Sequence, residues 1–190
     1  MEKPDLMDHV LANSTNRAIL DRLPGTGLAD AWLVAGALFQ AAWNGLTGRA
    51  PAYGIKDYDI VYFDDSDLSW EAEDHAICAA AAAFAGLDAT IEIRNQARVH
   101  LWYPEKFRMP YAPLSRSTDG IDRYLAVACM IGLQPRPDGD LRLYAPRGLD
   151  DVARLIVRPN PSANFNAANY HAKAARWQRT WPELRIHSAG

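Results

Sequence analysis

Two aspartates one residue apart, Asp57 and Asp59, lie within Ile55-Lys56-Asp57-Tyr58-Asp59-Ile60-Val61-Tyr62-Phe63. This segment is rich in β-branched and aromatic residues, which is the composition of a strand. Side chains alternate along a strand, so both carboxylates leave the same face a few ångströms apart. Two anions that close repel, and one is driven towards its neutral form unless a cation lies between them. Aspartate is also disfavoured in strands, so a pair of them needs a compensating partner. A divalent metal bound by both resolves the conflict. Mg²⁺ suits the pair best, with Mn²⁺ as the alternate, because it takes oxygen ligands, uses few protein carboxylates and fills its other positions with water and phosphate oxygens. The competing reading puts both acids on the solvated face of an antiparallel strand, where polar and apolar residues commonly alternate.

A third acid is needed if a second cation is to activate an attacking hydroxyl while the first steadies a departing pyrophosphate. Glu92 is the candidate, as the only acid in residues 90–103. There Ile91, Ile93, Ala97, Val99 and Leu101 alternate with Glu92, Arg94, Gln96, Arg98 and His100, which predicts one long strand with a bulge at Asn95. Arg94 stands beside Glu92 and is suited to hold a phosphate by charge-assisted, bidentate contact. His100 and Trp102 fit structural roles better than catalytic or stacking ones.

Around these strands the periodicity predicts two short helices before Pro24-Gly25, then a strand over residues 31–35, a turn at Gly36 and a helix that ends near Gly48. A helix over 69–85 carries Glu71, Glu73 and Asp74 at its front. Prolines 104, 110 and 113 mark an irregular crossing, after which a helix is expected over 117–132, a short strand over 141–144, a short helix over 149–157 and a last helix over about 167–180. Arg158-Pro159-Asn160-Pro161 either stops a helix or touches a ligand. The expected class is α+β, with a small mixed sheet, flanking helices and a mostly helical C-terminal part.

With 190 residues and no linker-like composition, a single domain over 1–190 is expected, its core at about 28–110 and its helical part at about 115–187. The longest apolar run, around 76–86, is too short to span a bilayer, and the start has no signal-peptide pattern, so no membrane partner and a cytoplasmic location are expected. Cys78 and Cys129 lie far apart in helical patterns and are expected to be buried thiols. The formal charge of −3 is uneven: residues 141–190 hold 8 of the 20 basic side chains and 3 of the 23 acidic ones. That basic stretch is either a solvated surface or a wall facing an anionic ligand.

Val34-Ala35-Gly36-Ala37-Leu38, Lys56-Asp57-Tyr58-Asp59-Ile60-Val61-Tyr62-Phe63-Asp64 and the segment from Ile91-Glu92 to Trp102-Tyr103 resemble a bacterial nucleotidyltransferase-like family of the DNA polymerase β-like superfamily. The resemblance continues through Gly148-Leu149-Asp150-Asp151 and Arg158-Pro159-Asn160-Pro161 to Lys173 and Arg176-Trp177, nearly the whole chain. It implies the polymerase-β-type fold and an enzyme that transfers a nucleoside monophosphate from an NTP to an acceptor, small molecule or macromolecule, with pyrophosphate release. It implies Asp57, Asp59 and Glu92 as catalytic metal ligands, and Gly36 as the place where backbone approaches phosphate. Ala37 stands where the superfamily usually has serine or a second glycine, so other phosphate donors are required, with Lys56 and Arg94 as candidates. The other reading of the same resemblance is a nucleotide-binding domain without turnover. The net acidic charge argues against nucleic acid as the acceptor.

Overall fold

The computed structural model describes residues 1–162 and 164–189. Two helices come first, α1 (Lys3–Ala12) and α2 (Ser14–Arg22). Between them Asn13 accepts from the backbone N–H groups of Thr15 and Asn16 and so starts the second helix. β1 (Trp32–Val34) leads directly into α3 (Gly36–Leu46), and β2 (Tyr58–Tyr62), α4 (Trp70–Ala83) and β3 (Ile91–Asn95) follow. The rest of the chain forms α5 (Val99–Phe107), α6 (Ser117–Ile121), β4 (Gly132–Pro135), β5 (Leu141–Tyr144), α7 (Asp150–Ala153), β6 (Ile156–Val157), α8 (Ala167–Thr180) and β7 (Arg185–Ile186). Among the described residues no helix is long and apolar enough to cross a membrane.

Five strands make one sheet in the order β3-β2-β1-β4-β5, and β6 and β7 make a separate parallel pair. Within the main sheet only β2 and β3 are parallel, and α4 is the crossover that such a pairing requires. The register sets Val34 beside Asp59 and Asp59 beside Glu92. Strand alternation sends Leu33, Ile60, Ile93 and Leu133 into the main core with α1, α2, α3 and α8. The opposite face, which carries Asp57 and Asp59, buries only the small cluster of Trp32, Val34, Val61, Ile121, Val127 and Met130. The fold is α+β, with an uncovered stretch of sheet beside the acids.

Two segments depart from the sequence expectation. The strand expected over 90–103 stops at Asn95, and residues 96–107 turn through a tight 3-10 turn into α5. Asn95 explains the break. Its side chain accepts from the N–H groups of Asp64 and Ala97 and donates to the Asp64 carbonyl, while Glu73 of α4 accepts from its backbone N–H and pairs with Arg98. His100 therefore lies in a helix and not at a strand end. The helix expected over 117–132 is one turn of α6, a 3-10 turn over Val127–Cys129 and the start of β4. Helix propagation is lost there because its backbone is used elsewhere. Asn160 donates to the carbonyls of Asp122, Tyr124 and Leu125, and Val127 N–H donates to Arg158. The Arg158–Pro161 loop is thus a strap over residues 122–127.

Asp30 fastens the chain above the acidic face to the sheet. It accepts from the Trp32 indole at 2.8 Å, the Ser117 backbone N–H at 2.8 Å and the Gln134 amide at 3.3 Å, and its own carbonyl accepts from the Ser117 hydroxyl at 2.6 Å. Replacing Asp30 by Ala leaves the Trp32 indole, the Ser117 backbone N–H and the Gln134 amide without their acceptor, a loss of about 2–3 kcal/mol. At ~2–4 °C per kcal/mol for a domain of this size, the melting temperature should fall by roughly 4–12 °C. An unchanged melting curve for Asp30→Ala would contradict this role.

Candidate active site

The turn between β1 and α3 is held in an uncommon shape. Ala35 has φ 49° and ψ −112°, a region that side chains other than glycine rarely occupy. Its N–H donates to the Ile131 carbonyl at 2.9 Å, and its carbonyl accepts from Leu38 and Phe39 at 2.9 and 3.1 Å. The N–H groups of Gly36 and Ala37 therefore open α3 without a helical partner, at the positive end of its dipole. A Cβ on Gly36 would come to 3.0 Å from the Gln40 amide nitrogen, so the bare Cα is what lets that amide fold back over the helix start.

Gly36, Asp57, Asp59 and Arg94 line one cavity of about 610 Å³. Its size is that of small-molecule sites generally. On one side α8 presents Asn169, Lys173 and Arg176, spaced so that they stand on one stripe of the helix. The neighbouring stripe, Tyr170, Ala174 and Trp177, is buried. Trp177 packs edge-on against Phe39 and Trp43 of α3 at 5.3 and 6.1 Å, and the Trp181 indole donates to Asn44 at 2.8 Å. The aromatic contacts fix α8 to α3, and so fix where its two cations stand. On the other side the cavity is walled by aromatic residues of α5, with Arg123 and Tyr124 from the strapped segment.

Burial pushes the Asp59 carboxyl up to about 6, and the charges of Asp57 and Glu92 add to the rise, while Lys173 and Arg94 oppose it. One acid is therefore enclosed by two others and faced by two cations. Glu92 does not line the cavity. It turns to Arg94, 3.4 Å away, with its side chain 44% exposed. Among the described residues no three His, Cys, Asp or Glu side chains converge as a ready metal cluster. The donor set is Asp57 just before β2, Asp59 within it and a third carboxylate on β3, which fits an ion that takes one or two protein carboxylates and completes its shell with water and phosphate. Cys129 lies in the same cavity, and burial raises its thiol to about 12, so it is a protonated, inert group.

The remaining candidates are placed as follows. Lys56 is exposed and lines a different cavity with Thr15 and Asp88, because alternation turns it away from Asp57. Ala37 is fully buried, its side chain directed into the core. Cys129 is buried as expected, whereas Cys78 is exposed on α4, on the helix face opposite the core contacts. Sequence reasoning did not single out Gln40 or Arg123, and of the aromatic wall it weighed only Trp102, favouring a structural role. Lys173 and Arg176, four and seven residues after Asn169 in the basic stretch, were named only as part of the family resemblance.

A mixed sheet with an acidic pair on one strand, facing a strand-glycine-helix turn on its neighbour, defines the polymerase-β-like nucleotidyltransferase fold. Residues 21–186 match the model of the nucleotidyltransferase family, and the chain belongs to that family. Among solved structures it is similar to one described as a protein whose NMR structure reveals a CCA-adding enzyme head domain, with 26% identity, a TM-score of 0.80, and 99% of this chain and 97% of that one covered. It also shares its fold with a CCA-adding enzyme in complex with CTP, at 13% identity and a TM-score of 0.51, covering 99% of this chain and 44% of that one. No curated protein matches the chain.

The raised Asp59 carboxyl has a stability consequence. A carboxyl whose folded value lies near 6 against a usual 3.8 binds its proton more tightly when folded. Its effect is then absent below about pH 4, grows as pH rises through 6, and reaches a penalty of roughly 3 kcal/mol at most above that. Asp59→Asn should therefore melt several degrees higher than wild type at pH 7.5 in EDTA, and the gain should close as the pH falls to 4. A variant that melts at or below wild type at pH 7.5 would contradict the electrostatic reading.

Proposed function

We propose that the protein transfers a nucleoside monophosphate from an NTP to a hydroxyl or phosphate acceptor and releases pyrophosphate. The carrying observation is the enclosed Asp59, flanked by Asp57 and Glu92, in one cavity with the free start of α3 and the cations of α8. Acids and bases of this kind, gathered in one cleft, match the needs of a triphosphate and its metal.

Asp57 and Asp59 are the residues that would hold Mg²⁺, which when bound supplies charge neutralisation to the triphosphate and acidity to the acceptor hydroxyl. The chain's own groups divide the remaining work. The N–H groups of Gly36 and Ala37 open α3 and suit phosphate oxygens, with the Gln40 amide folded into the space that a Cβ at Gly36 would take. Lys173 and Arg176, which form no ion pair among the described residues, take the β- and γ-phosphates and stabilise the charge that builds on the departing pyrophosphate. Arg94, drawn from Glu92, provides a further cation at the cavity edge. The acceptor oxygen bonds to the α-phosphorus, the bond from that phosphorus to the β-bridging oxygen breaks, and the electron pair leaves with pyrophosphate. Asp59 takes the acceptor's proton. No covalent enzyme intermediate is required.

A second reading, a nucleotide-binding module without turnover, draws on two observations. Ala37 offers no hydroxyl where one is usual, and Glu92 is paired with Arg94 and stands apart from the two aspartates. One experiment separates the readings: each NTP is incubated with Mg²⁺ and a metabolite pool, and pyrophosphate and nucleotidylated products are followed by mass spectrometry. Turnover should be lost by at least about 100-fold in Asp57→Asn, consistent with removal of a group that stabilises the transition state, and Lys173→Ala should weaken NTP use. NTP binding with no product from any acceptor would leave only the module.

A further inference from the structure

Trp102, Tyr103 and Phe107 of α5 and the nearby Tyr111 form a group of rings that belongs to neither hydrophobic core. Tyr103 lies 4.5 Å from both Phe107 and Tyr111, centroid to centroid, and Trp102 lies 5.9 Å from Tyr103. All four are half-buried and all four line the same cavity as Asp57, Asp59, Lys173 and Arg176. The Arg123 guanidinium lies 4.4 Å over the Tyr111 ring, and Lys106 lies 5.5 Å from the Trp102 ring. Rings in a protein this size normally go to the core, where their area is removed from water. Here four are spent on a cavity wall.

A buried amide stands at the edge of this wall. Gln96 is 6% exposed and lines the cavity. It comes within reach of the cavity because Gly120 has no side chain: a Cβ there would lie 2.1 Å from the Gln96 carbonyl oxygen. A carboxamide offers one acceptor and two donors in one plane, the pattern that pairs with the edge of a base.

We propose that this wall seats the nucleobase of the incoming NTP, stacked on the rings of Trp102, Tyr103 and Phe107 with Gln96 at its edge. The inference rests on the nucleotidyl-transfer reading and names where that substrate's uncharged end goes. The cavity is divided between charged groups, which suit a triphosphate, and flat apolar faces, which suit the flat part of the same molecule. Ring faces accept any base, so selectivity among bases falls to Gln96.

The test is calorimetric binding, with Mg²⁺ present, of the α,β-methylene analogues of the four NTPs and of inorganic tripolyphosphate. Wild type should bind at least one analogue more tightly than tripolyphosphate. Trp102→Leu and Tyr103→Leu keep apolar bulk but remove the flat face, and each should weaken that analogue by about tenfold. Both should leave tripolyphosphate unchanged, and Tyr103→Phe should keep wild-type affinity. The proposal is overturned if analogue and tripolyphosphate weaken together, if neither weakens, or if wild type binds the analogue no better than tripolyphosphate. In that last case nucleotidyl transfer still stands, whereas a wild type that binds neither ligand removes the transfer reading as well.

Discussion

Asp59 is a charge taken largely out of water and set between two other acids, and the surrounding structure is arranged around that cost. Strand alternation forces the conflict: a residue two positions from Asp57, opposite Glu92 in a parallel pair, cannot turn its carboxyl away without moving the whole strand to the other face. The sheet's other face is filled by the main core, so the register is fixed by burial of Tyr58, Ile60 and Tyr62. An unfavourable arrangement of this kind persists only where the rest of the fold over-determines it, and it marks a place prepared for a positive charge.

Of the two cations that answer it, Arg94 stands on the next strand and Lys173 comes from the far end of the chain. α8 packs one stripe against α3 through Trp177, and the aromatic contacts of Phe39, Trp43, Trp177 and Trp181 leave the helix little freedom to rotate. Lys173 and Arg176 are thus held over the cavity by packing on the opposite side of their own helix. The same α3 supplies both the aromatic anchor for α8 and the open helix start at Gly36. Asp30 and the Asn160 strap perform the matching task for residues 117–127, which carry Arg123 and Tyr124 to the cavity.

Much of this arrangement could be read in the sequence where local rules act alone. Alternation placed Asp57 and Asp59 on one face, and helical spacing placed α3, α4 and α8 close to their observed bounds and two short helices before Pro24. Residues 96–103 escaped because so short a stretch fits period two and period 3.6 alike, and the deciding contacts, from Asn95 to Asp64 and from Glu73 to Arg98, join residues 31 and 25 positions apart. Residues 117–132 escaped for the same reason: Asn160, more than 30 positions away, claims their carbonyls. The cavity's aromatic wall follows from those two errors, since only a helix at 99–107 brings Trp102, Tyr103 and Phe107 together. Lys56 was misjudged by neglect of the alternation that placed its neighbour correctly.

The account depends on a divalent cation seated between Asp57 and Asp59 at a triphosphate. Crystals grown with Mn²⁺ and a non-hydrolysable NTP, measured for anomalous scattering at the manganese edge, test this most directly. The account predicts a manganese peak in contact with oxygens of both aspartates and with the triphosphate, which in turn lies against the start of α3 and Lys173. A peak elsewhere, or a bound triphosphate with no manganese at the aspartates, would contradict it.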